Sequence, residues 1–329
     1  MTRNVLLLLA ALASALLSAN PTPETTAKRS KAEIDKALKA IEAAARVAPA
    51  PARAPSGRPD PKAAATTVPA PTPSELAKAR AELARLNGYR YLAGLSSDVR
   101  LDDELCWNAK FGAELCRRVG RIDHTPPKPA GMDDIAYRRG YEATTNSNLS
   151  WTSGPDGLTG SADGYMDDSD PSNVARVGHR RWCLNPPMAK AGFGVVGGYS
   201  AMWCFDRSGA DARGAILCFP SAGFHPLAYF KPGTAWSVTL DPRRYRLAGR
   251  DVKVYELPAS ARRFPEDLKG LREIPLTDVN LDRSGIGTLT QCLIFRPQAK
   301  VHRGARFGVL VEGVEGVSGG KLSYTVEFY

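Results

Sequence analysis

The spacing of apolar residues changes part-way along this 329-residue chain, and that change does most to limit its fold. Up to about residue 119 the period is helical. Leu76, Ala79, Leu83 and Leu86 share one face of a segment opened by Pro73-Ser74-Glu75. Leu105, Ala109, Gly112 and Cys116 form one stripe of a second helix over 102–119, and its small residues predict close packing against another element. Loops rich in Pro, Gly and Asp follow at 123–132, with shorter helices expected within 134–148 and 161–168. From Ala191 the period becomes that of strands: Gly192-Phe193-Gly194-Val195-Val196 and Ala201-Met202-Trp203-Cys204-Phe205 read as a pair. Beyond Phe224 the apolar residues alternate, as in Trp236, Val238, Leu240 and in Leu322, Tyr324, Val326, Phe328. Helices first and strands last predict the α+β class, ending in a small all-β sandwich-like domain over 223–329.

The N-terminus sets the expected compartment. Arg3, an apolar run over 5–17 and the small residues Ser18-Ala19 make the three-part pattern of a secretory signal peptide, assigned to 1–19. The run is shorter than the roughly 20 residues of a spanning helix. The protein is therefore expected to be exported, secreted or periplasmic, and not membrane-spanning once the signal is removed. A basic, Ala/Pro-rich leader follows over 20–73, with one short helix at 31–47 (Ile34, Leu38, Ile41 and Ala45 on one side) and a disordered spacer from 48. Part of the net charge of +10 belongs to this leader. No basic stripe with interleaved aromatics marks a nucleic-acid surface, so loose attraction to an anionic envelope or acidic glycan fits the charge better.

Six cysteines, Cys106, Cys116, Cys183, Cys204, Cys218 and Cys292, make disulfides an expectation in an exported chain. Cys106 and Cys116 share a helix about 15 Å apart along its axis, too far to be bridged; Cys183 with Cys204 or Cys218 stays open. No CxxC pair suggests a zinc knuckle. Gly198-Tyr199-Ser200-Ala201-Met202 misses the esterase elbow at its last position. Gly192 to Gly197 fits the dinucleotide fingerprint formally, but strand-like sequence follows where a helix is needed. Asp163 to Asp170 lacks the order of a calcium loop.

Four histidines remain. His225 and His302 lie in the β-rich part without acidic company. His124, in Asp123-His124-Thr125-Pro126-Pro127, follows the second helix, and His179 stands in Gly178-His179-Arg180-Arg181-Trp182. Together with Leu86-Asn87-Gly88-Tyr89-Arg90, Leu101-Asp102-Asp103-Glu104-Leu105, Asn146-Ser147-Asn148-Leu149, Tyr165 with Asp168, Leu184-Asn185-Pro186 and Gly192-Phe193-Gly194, they occur in the order of a known pattern. Over roughly 74–210 the chain resembles bacterial members of the CAP superfamily (cysteine-rich secretory proteins, antigen 5, pathogenesis-related proteins).

The resemblance implies an α-β-α sandwich over 74–222, with a cleft gathering two histidines and two acids. His124 and His179 match the histidines, and Asp168 one acid, shortened from Glu. The other acid is replaced by Ser147, leaving Glu142 as a substitute carboxylate from upstream. The implied function is an extracellular or envelope binding module for a glycan, lipid or protein ligand. The alternatives are a hydrolase, using His124 and His179 with a divalent metal such as zinc or as a general base, and a lipid carrier. Arg180 and Arg181 are expected to pair with Asp167 or Asp168, and Trp182 to lie in the core.

Overall fold

The computed structural model describes residues 22–46, 68–154 and 156–329. The signal peptide assigned to 1–19 and most of the spacer lie outside these residues. Two short elements come first, α1 (Pro23–Ala27) and α2 (Lys31–Arg46). Rather than trailing as a free leader, they dock on the folded body. Ile34 and Leu38 of α2 enter the main core, Lys31 pairs with Glu327 at 2.7 Å, and Tyr329 Oη donates to Asp35 at 2.9 Å. The amphipathic face read at Ile34 and Leu38 is thus spent on tertiary packing.

The helical half contains α3 (Pro73–Leu92), β1 (Arg100–Leu101), α4 (Asp103–Val119), α5 (Asp134–Thr145), β2 (Ser147–Trp151), α6 (Ser161–Asp167), α7 (Gly178–Cys183), β3 (Lys190–Val196) and β4 (Tyr199–Trp203). Helix α3 starts with a capping box: Thr72 accepts from the Glu75 amide, and the Glu75 side chain accepts from the Thr72 amide. The four strands order as β1-β3-β4-β2. Helix α4 lies on one face of this sheet at backbone contact. A Cβ at Gly192 would come within 2.2 Å of Leu105, and one at Gly194 within 2.1 Å of Lys110. The Gly-Phe-Gly motif is therefore a packing device, and no larger residue fits at either glycine. Phe193, between them, turns to the other face and joins Leu86 and Leu92 of α3 in the core. Helix, sheet, helix is the layering, and the chain is α+β.

The strand-rich half is a pair of sheets, β10-β9-β13-β15-β6 and β11-β12-β7-β5. Their strands are β5 (Ile216–Phe219), β6 (Gly223–His225), β7 (Trp236–Leu240), β9 (Val252–Glu256), β10 (Arg272–Ile274), β11 (Leu276–Asp282), β12 (Gln291–Pro297), β13 (Arg306–Glu312) and β15 (Lys321–Phe328), with a small β8 (Arg246–Leu247) and β14 (Val314–Glu315) ribbon beside them. Trp236 of one sheet meets Phe307 and Phe328 of the other, with ring centroids 5.6 and 6.1 Å apart. Residues 322, 324, 326 and 328 are buried in alternation, as their pattern predicts. A boundary at 222/223 runs between β5 and β7, its antiparallel partner.

Strand β7 departs from its pattern. Ser237 and Thr239 should face water, yet all five of its residues are buried. The reason is that the helical half covers the outer face of this sheet. Val174 and Val177 pack there against Ala235, Cys292 and Ile294, and Arg180 donates to Ser237 Oγ at 3.0 Å. One apolar core consequently runs through both halves.

The disulfide expectation is corrected. All six cysteines are free thiols and buried, behaving as small apolar side chains. Burial pushes the thiols of Cys106 and Cys218 up to about 12.

Candidate functional site

Asp168 ends α6 in the left-handed region, φ 44°, a conformation that Asp tolerates better than most residues. It thereby turns its carboxylate onto the start of α7. Oδ2 accepts from the backbone amides of His179 (2.9 Å) and Arg180 (3.4 Å), groups that a helix start leaves unpaired. Oδ1 lies 2.8 Å from His179 Nδ1. Because this carboxylate already accepts two amides, Nδ1 is the donor, and the remaining lone pair of a neutral imidazole is on Nε2. Asp168 is buried and the His179 side chain is 21% exposed. The Tyr165 ring backs the imidazole, with centroids 5.5 Å apart. Asn148 on β2 donates from Nδ2 to the His179 carbonyl at 3.0 Å, fixing the helix to the sheet.

His124 is held in a similar way at a second place. Its Nδ1 lies 2.8 Å from the Thr144 carbonyl, and Thr144 Oγ1 donates back to the His124 carbonyl at 3.1 Å. A carbonyl can only accept, so Nδ1 carries the proton and Nε2 is again the free nitrogen. His124 itself is exposed. The two histidines are thus tied to Thr144 and Asn148, four positions apart at the junction of α5 with β2, the first through its ring and the second through its backbone carbonyl.

The other candidates fall elsewhere. Glu142 is exposed on α5, and its carbonyl accepts from the Asn146 side chain. Ser147 is buried and its Oγ has no hydrogen-bond partner among the described residues. Strand alternation puts Ser147 on the side of Leu149, which packs on Ala109 and Cys116 of α4. Asn148 and Ser150 take the opposite side, toward His179 and Tyr165. Ser147 therefore faces away from the Asp168–His179 pair and is no nucleophile for it.

Arg180 and Arg181 do not pair with Asp167 or Asp168 carboxylates. Arg180 is fully buried and donates to the backbone carbonyls of Met166 (2.7 Å) and Asp167 (2.6 Å). Arg181 forms an ion pair with Asp282 of β11. Trp182 stacks on Phe205, centroids 3.6 Å apart. A residue that sequence reasoning gave no role is Arg90, fully buried on α3. It donates to the carbonyls of Ser96, Cys183, Asn185, Pro186 and Met188, so it fixes the chain that leaves α7. Its place in Gly88-Tyr89-Arg90 of the matched pattern was the only signal.

A zinc ion does not fit this donor set. A catalytic zinc takes three protein ligands, and both Asp168 oxygens are engaged by the groups they orient. Among the described residues no group of three or more His, Cys, Asp or Glu side chains could hold a metal ion. Calorimetric titration with zinc is expected to show no stoichiometric site dependent on both histidines. One equivalent bound by the wild type and lost in both His124→Ala and His179→Ala would overturn this.

Residues 83–205 match the family model described as the cysteine-rich secretory protein family, CAP. That span contains His124, Asp168 and His179. No curated protein and no solved structure matches the chain. The family is in general one of secreted binding or signalling modules. Among the described residues no helix is long and apolar enough to cross a membrane.

Proposed function

We propose, from the match of residues 83–205 to the model of the cysteine-rich secretory protein family, that the chain is an exported binding module that recognises a hydroxyl-rich envelope or extracellular glycan through His179. The observation that carries this reading is the double hold of Asp168 on His179. The imidazole is fixed at Nδ1 and backbone, so the partly exposed ring offers Nε2 as an acceptor at no further ordering cost. A neutral imidazole nitrogen accepts a hydrogen bond from a sugar hydroxyl, and pre-organisation converts more of that contact into affinity. His124, held in like manner, supplies a second acceptor. The positive net charge adds attraction toward acidic glycans. Lipid carriage has less support. The groove of about 540 Å³ in the strand-rich half sets Arg250, Asp251, Lys253, Glu273 and Glu312 among Val252, Ile274, Leu276 and Val279, a mixed lining with no continuous apolar wall for an acyl chain.

The test is retention of the purified full-length protein on isolated cell envelopes and on an immobilised glycan panel. His179→Ala is expected to weaken retention about tenfold, the scale of one central polar contact. No retention of the wild type, or equal retention of the variant, would sink the proposal. The same Asp168–His179 orientation also suits a general base acting on water, which is the second reading. Release of soluble sugar from the retained material, absent with His179→Ala, would favour it over simple binding.

A further inference from the structure

We propose that the strand-rich half is a working part of the His179 site, with Arg296 as a positioning residue for the Asp168–His179 pair. The inference rests on the reading of His179 as the ligand-contacting group only for its functional meaning; the geometric claim stands apart from it.

The segment joining Asp168 to His179 is bounded by two non-glycine residues in the left-handed region, Asp168 at φ 44° and Val177 at φ 42°. For a β-branched residue such as Val177 this conformation is strained, and it persists only where the surroundings over-determine it. Those surroundings come from the strand-rich half. Val177 is locked among Ala235, Cys292 and Ile294. At the other end, the Asp167 carboxylate accepts from Lys231 Nζ (2.8 Å) and Thr234 Oγ1 (2.7 Å). Ser169, immediately after Asp168, accepts at Oγ from the Ala235 amide (2.8 Å) and at its carbonyl from Arg296 Nη2 (2.7 Å). The carboxylate that orients His179 is therefore flanked on both sides by residues tied to the second half.

Arg296 stands out because it reaches the residue next to Asp168 from 127 positions away. It is aimed by an ion pair, Nε to Asp278 at 2.7 Å; that contact lacks hydrogen-bond geometry at Nε, so its role is Coulombic. The side chain is 25% exposed, so its removal opens no sealed core cavity. Freeing the Ser169 carbonyl lets the chain after Asp168 rotate. A displacement of about 1 Å is enough to break the Oδ1 to Nδ1 hydrogen bond.

The experiment uses the full-length protein with ¹⁵N-labelled histidine and follows solvent exchange of imidazole protons. The His179 Nδ1–H is compared with the His225 Nε2–H, which is buried against the Tyr229 carbonyl and reports global opening. In Arg296→Ala the His179 proton is expected to exchange roughly tenfold faster or more, as for loss of a hydrogen bond to a charged group, while the His225 proton is unchanged. Arg296→Lys restores part of the protection. Arg272→Ala, which removes an exposed pair with Glu256 on the same half, leaves both protons as in wild type. Wild-type exchange at His179 in Arg296→Ala overturns the proposal, and so does equal acceleration of both protons. Failure of glycan retention with this exchange pattern intact would remove the functional reading and leave the positioning role standing.

Discussion

A chain cut after Ala222, which keeps the whole family-matched segment, is expected to show no cooperative melting transition. The cut strands β5, whose hydrogen-bond partner β7 is removed, and it uncovers one side of the shared core. Val174 and Val177 lose Ala235, Cys292 and Ile294. Tyr89 on α3 loses Tyr229, whose ring centroid lies 4.9 Å away, and Phe219 loses Phe230. Fully burying one such side chain is worth about 1.5–3 kcal/mol, so exposing these four costs roughly 6–12 kcal/mol. That is the size of a domain's entire stability, about 5–15 kcal/mol. Arg180 also loses Ser237, and the docked N-terminal helix loses Glu327 and Tyr329. Differential scanning calorimetry with a dye for exposed apolar surface reads the result. A sharp, reversible melt in the truncated chain would show that the helical half folds alone and that the common core is dispensable. For the same reason, loss of ligand binding on truncation cannot assign the binding surface to the strand-rich half; point changes at His179 can.

Much of this arrangement is legible in the residues themselves, and the exceptions share a cause. The stripe of Leu105, Ala109, Gly112 and Cys116 announces a helix packed at close range: Gly192 and Gly194 of β3 meet it at Leu105–Cys106 and Ala109–Lys110, and Gly112 meets Ala143 of α5. The alternation of Leu322 to Phe328 fixes β15 and its buried face. By contrast, Ser237 and Thr239 read as a solvated face because a periodic pattern records polarity, and a polar residue can be covered by another module as well as by water. Ser147 and Asn148 read as the end of a helical region over 134–148, yet they open the edge strand β2. That difference alone turns Ser147 away from the site. Helix α7 is six residues long and too short to carry a period, so only its resemblance to a known motif marks His179. The direct contact of Asp168 with His179 spans eleven positions and follows from a backbone turn at φ 44°, which no spacing rule encodes. Arg296 is wholly invisible in sequence, since its meaning depends on two halves meeting.

The protein is expected to lose about 3 kcal/mol of stability as pH falls from 6.5 to 4, through one residue outside the site. His225 is fully buried on β6, ringed by Phe219, Phe230 and Phe328 at centroid distances of 5.6, 6.1 and 5.8 Å. The Ser221 amide donates to Nδ1 at 3.1 Å, and the Ser221 hydroxyl lies 2.9 Å from it. Nδ1 is thus an acceptor, and the proton is on Nε2, facing the Tyr229 carbonyl at 3.2 Å. A second proton has no place at Nδ1 without breaking the Ser221 contacts. Burial in this apolar cage is the main cause that brings the imidazole down to about 4; the Tyr229 carbonyl opposes it, while Arg29 and Arg85 add to it. In the unfolded chain the ordinary value is about 6.5. Between these values the unfolded state holds more protons, so stability rises with pH across the window and is lost as pH falls toward 4. A depression of some 2.5 units corresponds to about 3 kcal/mol. Urea unfolding of wild type and His225→Gln at pH 7 and pH 4.5 isolates this contribution, because carboxylates elsewhere titrate alike in both proteins. His225→Gln should start less stable at pH 7 and close most of the gap by pH 4.5. Parallel losses in the two proteins would mean that His225 is protonated in the folded state and that its cage admits water.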